Sequence, residues 1–153
     1  MWTIKHSYID GVLVHVQGRE TIECINPATE SVIGTVTLAN RDDARQAIAA
    51  AQRAQNTMGR TSKAERIDML KRLQAAVLES TDEIRDTAIE KYGAPLARAQ
   101  WVSQYASQSF ANAAQVLENY ELVRSAGHAR VIMEPVGVSG LEAFLEAKSI
   151  VED

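Results

Sequence analysis

Residues 32–44 read Val32-Ile33-Gly34-Thr35-Val36-Thr37-Leu38-Ala39-Asn40-Arg41-Asp42-Asp43-Ala44, and the fold turns on this stretch. Through Leu38 its β-branched residues favour an extended strand. From Asn40 the apolar residues recur with a period near 3.6 instead of two, which predicts a helix. Asn40 is a suitable N-cap, because its side-chain oxygen can accept from the unpaired amides of a first turn. Asp42 and Asp43 suit the positive end of the helix dipole. Strands are therefore expected before about residue 39 and helices after it.

Working back from this point, Tyr8-Ile9 and Val12-Leu13-Val14 flank Asp10-Gly11, a pair whose tolerance of positive φ suits a two-residue hairpin turn. A further turn at Gln17-Gly18-Arg19 leads into Thr21–Ile25, where Ile22 and Cys24 face one side and Thr21, Glu23 and Ile25 the other. Asn26-Pro27 interrupts the pairing, since proline has no amide to donate.

Working forward, the first helix presents Ala44, Ala47, Ile48, Ala51, Ala54 and Met58 as its expected buried stripe, small enough for a neighbour to pack close. Ser62-Lys63-Ala64-Glu65 is a capping box, followed at helical spacing by Ile67, Leu70, Leu73, Ala76 and Val77. Ser80-Thr81-Asp82-Glu83 repeats the device before Ile84, Ala88 and Ile89. Gly93 fits a C-terminal cap and Pro95 the first turn of a last helix, whose face is Val102, Ala106, Phe110, Ala113, Leu117 and Tyr120. Arg124–His128 reads as an exposed loop and Val131-Ile132-Met133 as a strand. Beyond Pro135, Val136-Gly137-Val138 is a short apolar run. Leu141, Phe144, Leu145 and Lys148 have helical spacing. The expected fold class is α+β: N-terminal antiparallel strands, three or four helices, then C-terminal strands, in a single domain over residues 1–153.

The 153 residues, 46% hydrophobic and 24% charged, suffice for one soluble domain with its own core. A net charge of −4 gives no electrostatic reason to expect nucleic acid or an anionic membrane as partner. Met1–His6 lacks the basic and apolar regions of a secretory signal, and no run approaches the ~18 apolar residues of a membrane span, so a cytoplasmic location is expected.

Few residues offer chemistry. Cys24, the one cysteine, excludes an internal disulfide and lacks zinc-site spacing; beside Glu23 it has no electropositive setting to favour a thiolate, and it reads as a packed strand residue. His6, His15 and His128 are scattered, without a nucleophile relay or a helical i,i+4 metal pair, and read as surface or turn residues. Glu134 precedes Pro135 and reads as structural. Gly137 and Gly140 are too weak a pattern for a phosphate cradle without the helix that would supply amides. Trp101, Tyr105, Phe110 and Tyr120 are spaced for a helix core, with a binding cage as the alternative. Basic residues between Arg41 and Arg98 interleave with acids, as Arg72 does with Asp68, and suit a solvated helix face. No catalytic, cofactor-binding or metal residue is assigned.

Taken in order, Tyr8-Ile9-Asp10-Gly11, Ile25-Asn26-Pro27-Ala28-Thr29, Val32-Ile33-Gly34-Thr35-Val36, Ala64-Glu65-Arg66, Gly93-Ala94-Pro95-Leu96 and Glu134-Pro135-Val136-Gly137-Val138 form a pattern. Residues 8–138 resemble the N-terminal segment of the NAD(P)-dependent aldehyde dehydrogenase superfamily. Residues 140–151 resemble that family's C-terminal tail, which implies an oligomerisation strand, and Arg130–Pro135 resembles part of the same subdomain. The resemblance implies NAD or NADP as family cofactor and a cysteine nucleophile, both carried by segments that would lie between Val138 and Gly140 and have no counterpart here. It implies a truncated, non-catalytic protein without a retained cofactor site, associating with itself as a homodimer or with a full-length relative. The alternatives are one component of a split aldehyde dehydrogenase and a small-ligand binding module. For residues 141–151 the helical spacing and the implied strand disagree, and both readings stand.

Overall fold

A computed structural model of the chain describes residues 1–17, 20–135 and 145–151, with residues 134–135 and 145–151 described by their backbone. Strands β1 (Trp2–Ile4), β2 (His6–Ile9), β3 (Val12–His15), β4 (Thr21–Ile25) and β5 (Val32–Thr37) come first. Helices α1 (Arg41–Met58), α2 (Lys63–Glu79), α3 (Thr81–Tyr92) and α4 (Leu96–Asn119) follow, then β6 (Val123–Ala126), β7 (Ala129–Pro135) and β8 (Leu145–Val151). This is the expected α+β arrangement with four helices.

The hairpin of β2 and β3 closes through Asp10 (φ 54°) and Gly11 (φ 83°), both in the left-handed region that a two-residue turn demands. β4 pairs antiparallel with β5, with an irregularity between Cys24 and Ile25. The Asn26 side chain accepts from the Ala28 amide at 2.8 Å and turns the chain between these strands. One strand was not anticipated: β1 joins the free edge of β5 in parallel, with Trp2 opposite Gly34. The indole lies so close over Gly34 that a Cβ there would sit 2.3 Å from the ring.

Helix α1 starts as expected. The Asn40 side chain accepts from the amides of Asp42 and Asp43, and the Asp43 carboxylate accepts from the Asn40 amide at 2.9 Å. Its packed face, however, is rotated from the expected stripe. Asp43 and Ala50 are buried and Ala47 and Ala51 half-buried, whereas Ala44, Ile48, Ala54 and Met58 are exposed. The cause is Asp43, whose carboxylate also accepts from the Gln17 amide after β3 at 3.3 Å, turning that side of the helix toward the hairpin.

The Ser62/Glu65 capping box of α2 forms fully. Two amide and hydroxyl donors from Ser62 hold the Glu65 carboxyl below its ordinary range, the backbone amide contributing most. The stabilisation is therefore complete above the unfolded carboxyl's pKa and disappears as pH falls through the lower folded value. In an acid titration followed by far-UV circular dichroism, Glu65→Gln is expected to remove the part of the helix loss due to this group; identical acid limbs would contradict the role.

The second box does not form. Ser80 is both the C-cap of α2 and the residue before α3, its backbone (φ −93°, ψ 10°) is not extended, and it makes no side-chain cap. Thr81 instead donates its hydroxyl back to the Leu78 carbonyl at 2.7 Å. With a single residue between the helices there is no room for an extended N-cap.

Helix α4 packs against both α2 and α3. Its buried residues are Ala99, Ser103, Ser107 and Ala114, with Val102, Ala106, Phe110 and Leu117 half-buried beside them. Ala113, expected inside, is exposed, and its neighbour Ala114 takes the position. Ser107 donates to the Gln74 carbonyl of α2 at 3.2 Å. Small residues at the seam let the helices approach closely.

After α4 the expected loop at Arg124–His128 is instead strand β6 and the turn of a hairpin, with Gly127 at φ 63°. β8 pairs antiparallel with β7 from Leu145 opposite Pro135 to Val151 opposite Ala129. Residues 145–151 are thus a strand. Residues 141–144, like the Gly18-Arg19 part of the expected turn and Val136-Gly137-Val138, lie outside the described residues. The strands form three small sheets, ordered β1-β5-β4, β2-β3 and β6-β7-β8.

Candidate functional site

Of the residues singled out for chemistry, His6 and His15 come together as cross-strand partners of β2 and β3, and the others do not converge. Cys24 is half-buried in β4, paired with Gly34 of β5 on the side of the sheet that Trp2 covers. His128 lies in the β6–β7 turn, and Glu134 lies in β7 opposite Glu146 in backbone register. Gly137 and Gly140 lie outside the described residues. Among the described residues, no group of three or more His, Cys, Asp or Glu is placed to hold a metal ion.

The aromatic core expectation fails for Trp101, Tyr105 and Tyr120, which are exposed, and Phe110 alone of the four is half-buried. Trp101 and Tyr105 are about half exposed, 51% and 52%, on the outer side of α4. Their rings stack on each other with centroids 5.1 Å apart and 7° between planes, and the Arg98 guanidinium lies 4.5 Å from the Trp101 ring centre. Such contacts are worth about 0.5–1.5 kcal/mol for an aromatic pair. The seam of α4 against α2 and α3 is too narrow for these rings, so they stack on one another outside it.

A shallow cleft of about 330 Å³ lies between the β2–β3 hairpin and α1, lined by Tyr8, Ile9, Asp10, Gly11 and the alanines at 47, 50, 51 and 54. Arg53 bridges to Asp10 across its rim at 2.8 Å. It has small apolar walls and no convergent set of polar groups of the kind that fixes a ligand's orientation.

Surface is the more informative feature. The chain exposes 11292 Å². A compact monomer of 16.8 kDa would expose about 7,700 Å². The fully buried hydrophobic residues among those described are Val16, Ala50, Ala99 and Ala114. Large apolar side chains stand open on several elements, among them Leu13, Leu73, Leu78 and Val116. Among the described residues no helix packs broadly on the β6-β7-β8 sheet, and the Met133 amide, donating to the Leu122 carbonyl at 2.8 Å, extends the β6–β7 pairing by one rung. Its outer strands carry backbone groups available to a further strand.

A sequence model of the aldehyde dehydrogenase family matches residues 14–141. A 3-succinoylsemialdehyde-pyridine dehydrogenase from Pseudomonas sp is 38% identical over 139 residues, covering 90% of this chain and 29% of the relative. A putative aldehyde dehydrogenase from Staphylococcus aureus (strain bovine RF122 / ET3-1) is 38% identical over 135 residues, covering 88% of this chain and 28% of its own length. Among solved structures, a mutant of aldehyde dehydrogenase C from Pseudomonas syringae, in complex with NAD+ and octanal, superimposes with a TM-score of 0.81 at 26% identity, over 86% of this chain and 27% of that one. The chain belongs to the aldehyde dehydrogenase family. It spans less than a third of the length of these relatives.

Proposed function

We propose that this chain is a non-catalytic aldehyde dehydrogenase-like module whose role is assembly: it associates with a second copy of itself, or with a full-length relative, through the β6-β7-β8 sheet. The observation that carries this reading is that sheet: among the described residues its outer strands have no further strand partner and no helix packs broadly on it. The surface in excess of a compact monomer, roughly 3,600 Å² per chain, is more than enough for an obligate interface, which takes roughly 1,000–2,500 Å² from each partner. In the same reading the chain alone neither binds NAD(P) nor oxidises aldehydes, and it works in the cytoplasm. Among the described residues no helix is long and apolar enough to cross a membrane.

Light scattering on the purified chain is expected to give at least twice the mass of 16.8 kDa. A variant ending at residue 144, without β8, is expected to be monomeric. A monomeric parent chain that binds NAD tightly would overturn the reading.

A second reading is favoured by the extent of the matches, 28–29% of each relative's length: the chain is one component of a split NAD(P)-dependent aldehyde dehydrogenase. Mixing it with a polypeptide carrying the remaining segments would then restore aldehyde oxidation. A small-ligand module is disfavoured by the shallow, apolar cleft.

A further inference from the structure

His6 and His15 are cross-strand partners in the β2–β3 hairpin. The Val16 amide donates to the Lys5 carbonyl at 2.9 Å, marking Lys5–Val16 as a hydrogen-bonded pair. By the antiparallel alternation, His6–His15 is then a non-hydrogen-bonded pair, the site at which facing side chains stand closest. Strand alternation puts both rings with Tyr8 and Leu13 on one face of the hairpin, and all four residues are exposed. Lys5 belongs to the other face by the same alternation.

The two rings lie with centroids 5.2 Å apart. With a metal–nitrogen bond of ~2.0–2.1 Å, an ion sits about 3.2 Å from the centre of an imidazole that ligates it. Two such rings at adjacent positions of one tetrahedral ion have centres about 5 Å apart. The separation therefore suits chelation, and rotation of the rings from their 76° edge-on arrangement would direct a nitrogen of each to one point.

The tautomer is set in the right sense. His15 Nδ1 lies 3.0 Å from the Val16 carbonyl oxygen. A carbonyl only accepts, so Nδ1 carries the hydrogen, and in the neutral ring Nε2 keeps its lone pair. A metal-binding histidine is oriented in this way, with its second nitrogen donating to a carbonyl.

We propose that His6 and His15 form a cross-strand chelating pair for a divalent transition ion of the zinc, nickel or copper class, to which neutral imidazole is suited. Water completes the coordination, so the site is exchangeable and open on its outer side. Its absence from the expectations has a plain cause: the two histidines are nine positions apart, and only the register of the hairpin brings them together.

Calorimetric titration of the full chain with Ni2+, and separately with Zn2+, tests this. One ion per chain is expected, and both imidazole rings should respond together by NMR. His6→Asn and His15→Asn should each weaken binding by at least about tenfold, the scale on which even an outer-shell change affects metal sites. His128→Asn should leave it unchanged. Both histidines of the pair are exposed, so circular dichroism of the variants should match the parent. Absence of binding at millimolar ion, or equal binding by the parent and either single variant, would overturn the proposal.

Discussion

Gly93→Val is expected to lower the stability of the protein by about 2–4 kcal/mol, through two penalties that act together. Gly93 ends α3 in the left-handed conformation, φ 61°, which costs a residue with a Cβ roughly 1–2 kcal/mol. A Cβ at this position would also lie 2.7 Å from the Ala28 Cβ and 2.9 Å from its amide nitrogen. Backbone cannot swing aside as a side chain does, so the turn after β4 must move away from the end of α3. For a chain of this size the melting midpoint should fall by roughly 6–12 °C. Gly11→Ala supplies the comparison, since Gly11 has φ 83° but nothing within 4 Å of an added Cβ. It carries the conformational penalty alone. Equal melting shifts for Gly93→Ala and Gly11→Ala would mean that the contact between the β4 turn and α3 is unimportant.

Asp43→Leu is the second large effect expected. The Asp43 side chain is nearly inaccessible, and its carboxylate accepts from the amides of Asn40 at 2.9 Å and Gln17 at 3.3 Å. Leucine preserves bulk and leaves both amides without that partner. Both bonds are part-buried and have a charged acceptor, so at about 1–2 kcal/mol apiece the loss should be on the order of 2–4 kcal/mol. Denaturant unfolding measures it, with Asp42→Leu as the comparison. Asp42 is exposed and pairs with Arg45 at the surface, so its replacement should cost under about 1 kcal/mol. A similar midpoint for the two variants would remove Asp43 from its place as the tie between hairpin and helix.

These two residues also show what could be read from the chain in advance. Gly93, Asn40, Ser62 and Asp10-Gly11 announce themselves because a cap or a tight turn is a local event, decided by residues within four positions of one another. Asp43 was legible as a favourable charge at a helix start; its bond to Gln17 was not, because 26 positions separate them. β1 was missed for a similar reason. Three residues, Trp2-Thr3-Ile4, carry no usable periodicity, and their partner is β5, beyond the hairpin and β4.

Trp101 and Tyr105 were placed inside by a rule that counts spacing and apolar size. The seam of α4 admits Ala99, Ser103 and Ser107, whose small side chains permit close approach. Periodicity identifies the faces of a helix, but the width of the gap decides which face enters. The histidine pair required the strand register to be seen.

The division of the strands into three small sheets has a consequence for how the chain reaches its structure. Each sheet is assembled from one stretch of chain: residues 2–37 supply two and residues 123–151 the third, with the helices built between them. No strand pairing among the described residues joins the first stretch to the last. Strand pairing among the described residues therefore closes loops only within a stretch, the widest of them joining Trp2 to Gly34. The strand pairings of residues 2–37 can form while the rest of the polypeptide is still emerging from the ribosome, and the β6-β7-β8 sheet can open without breaking any of them.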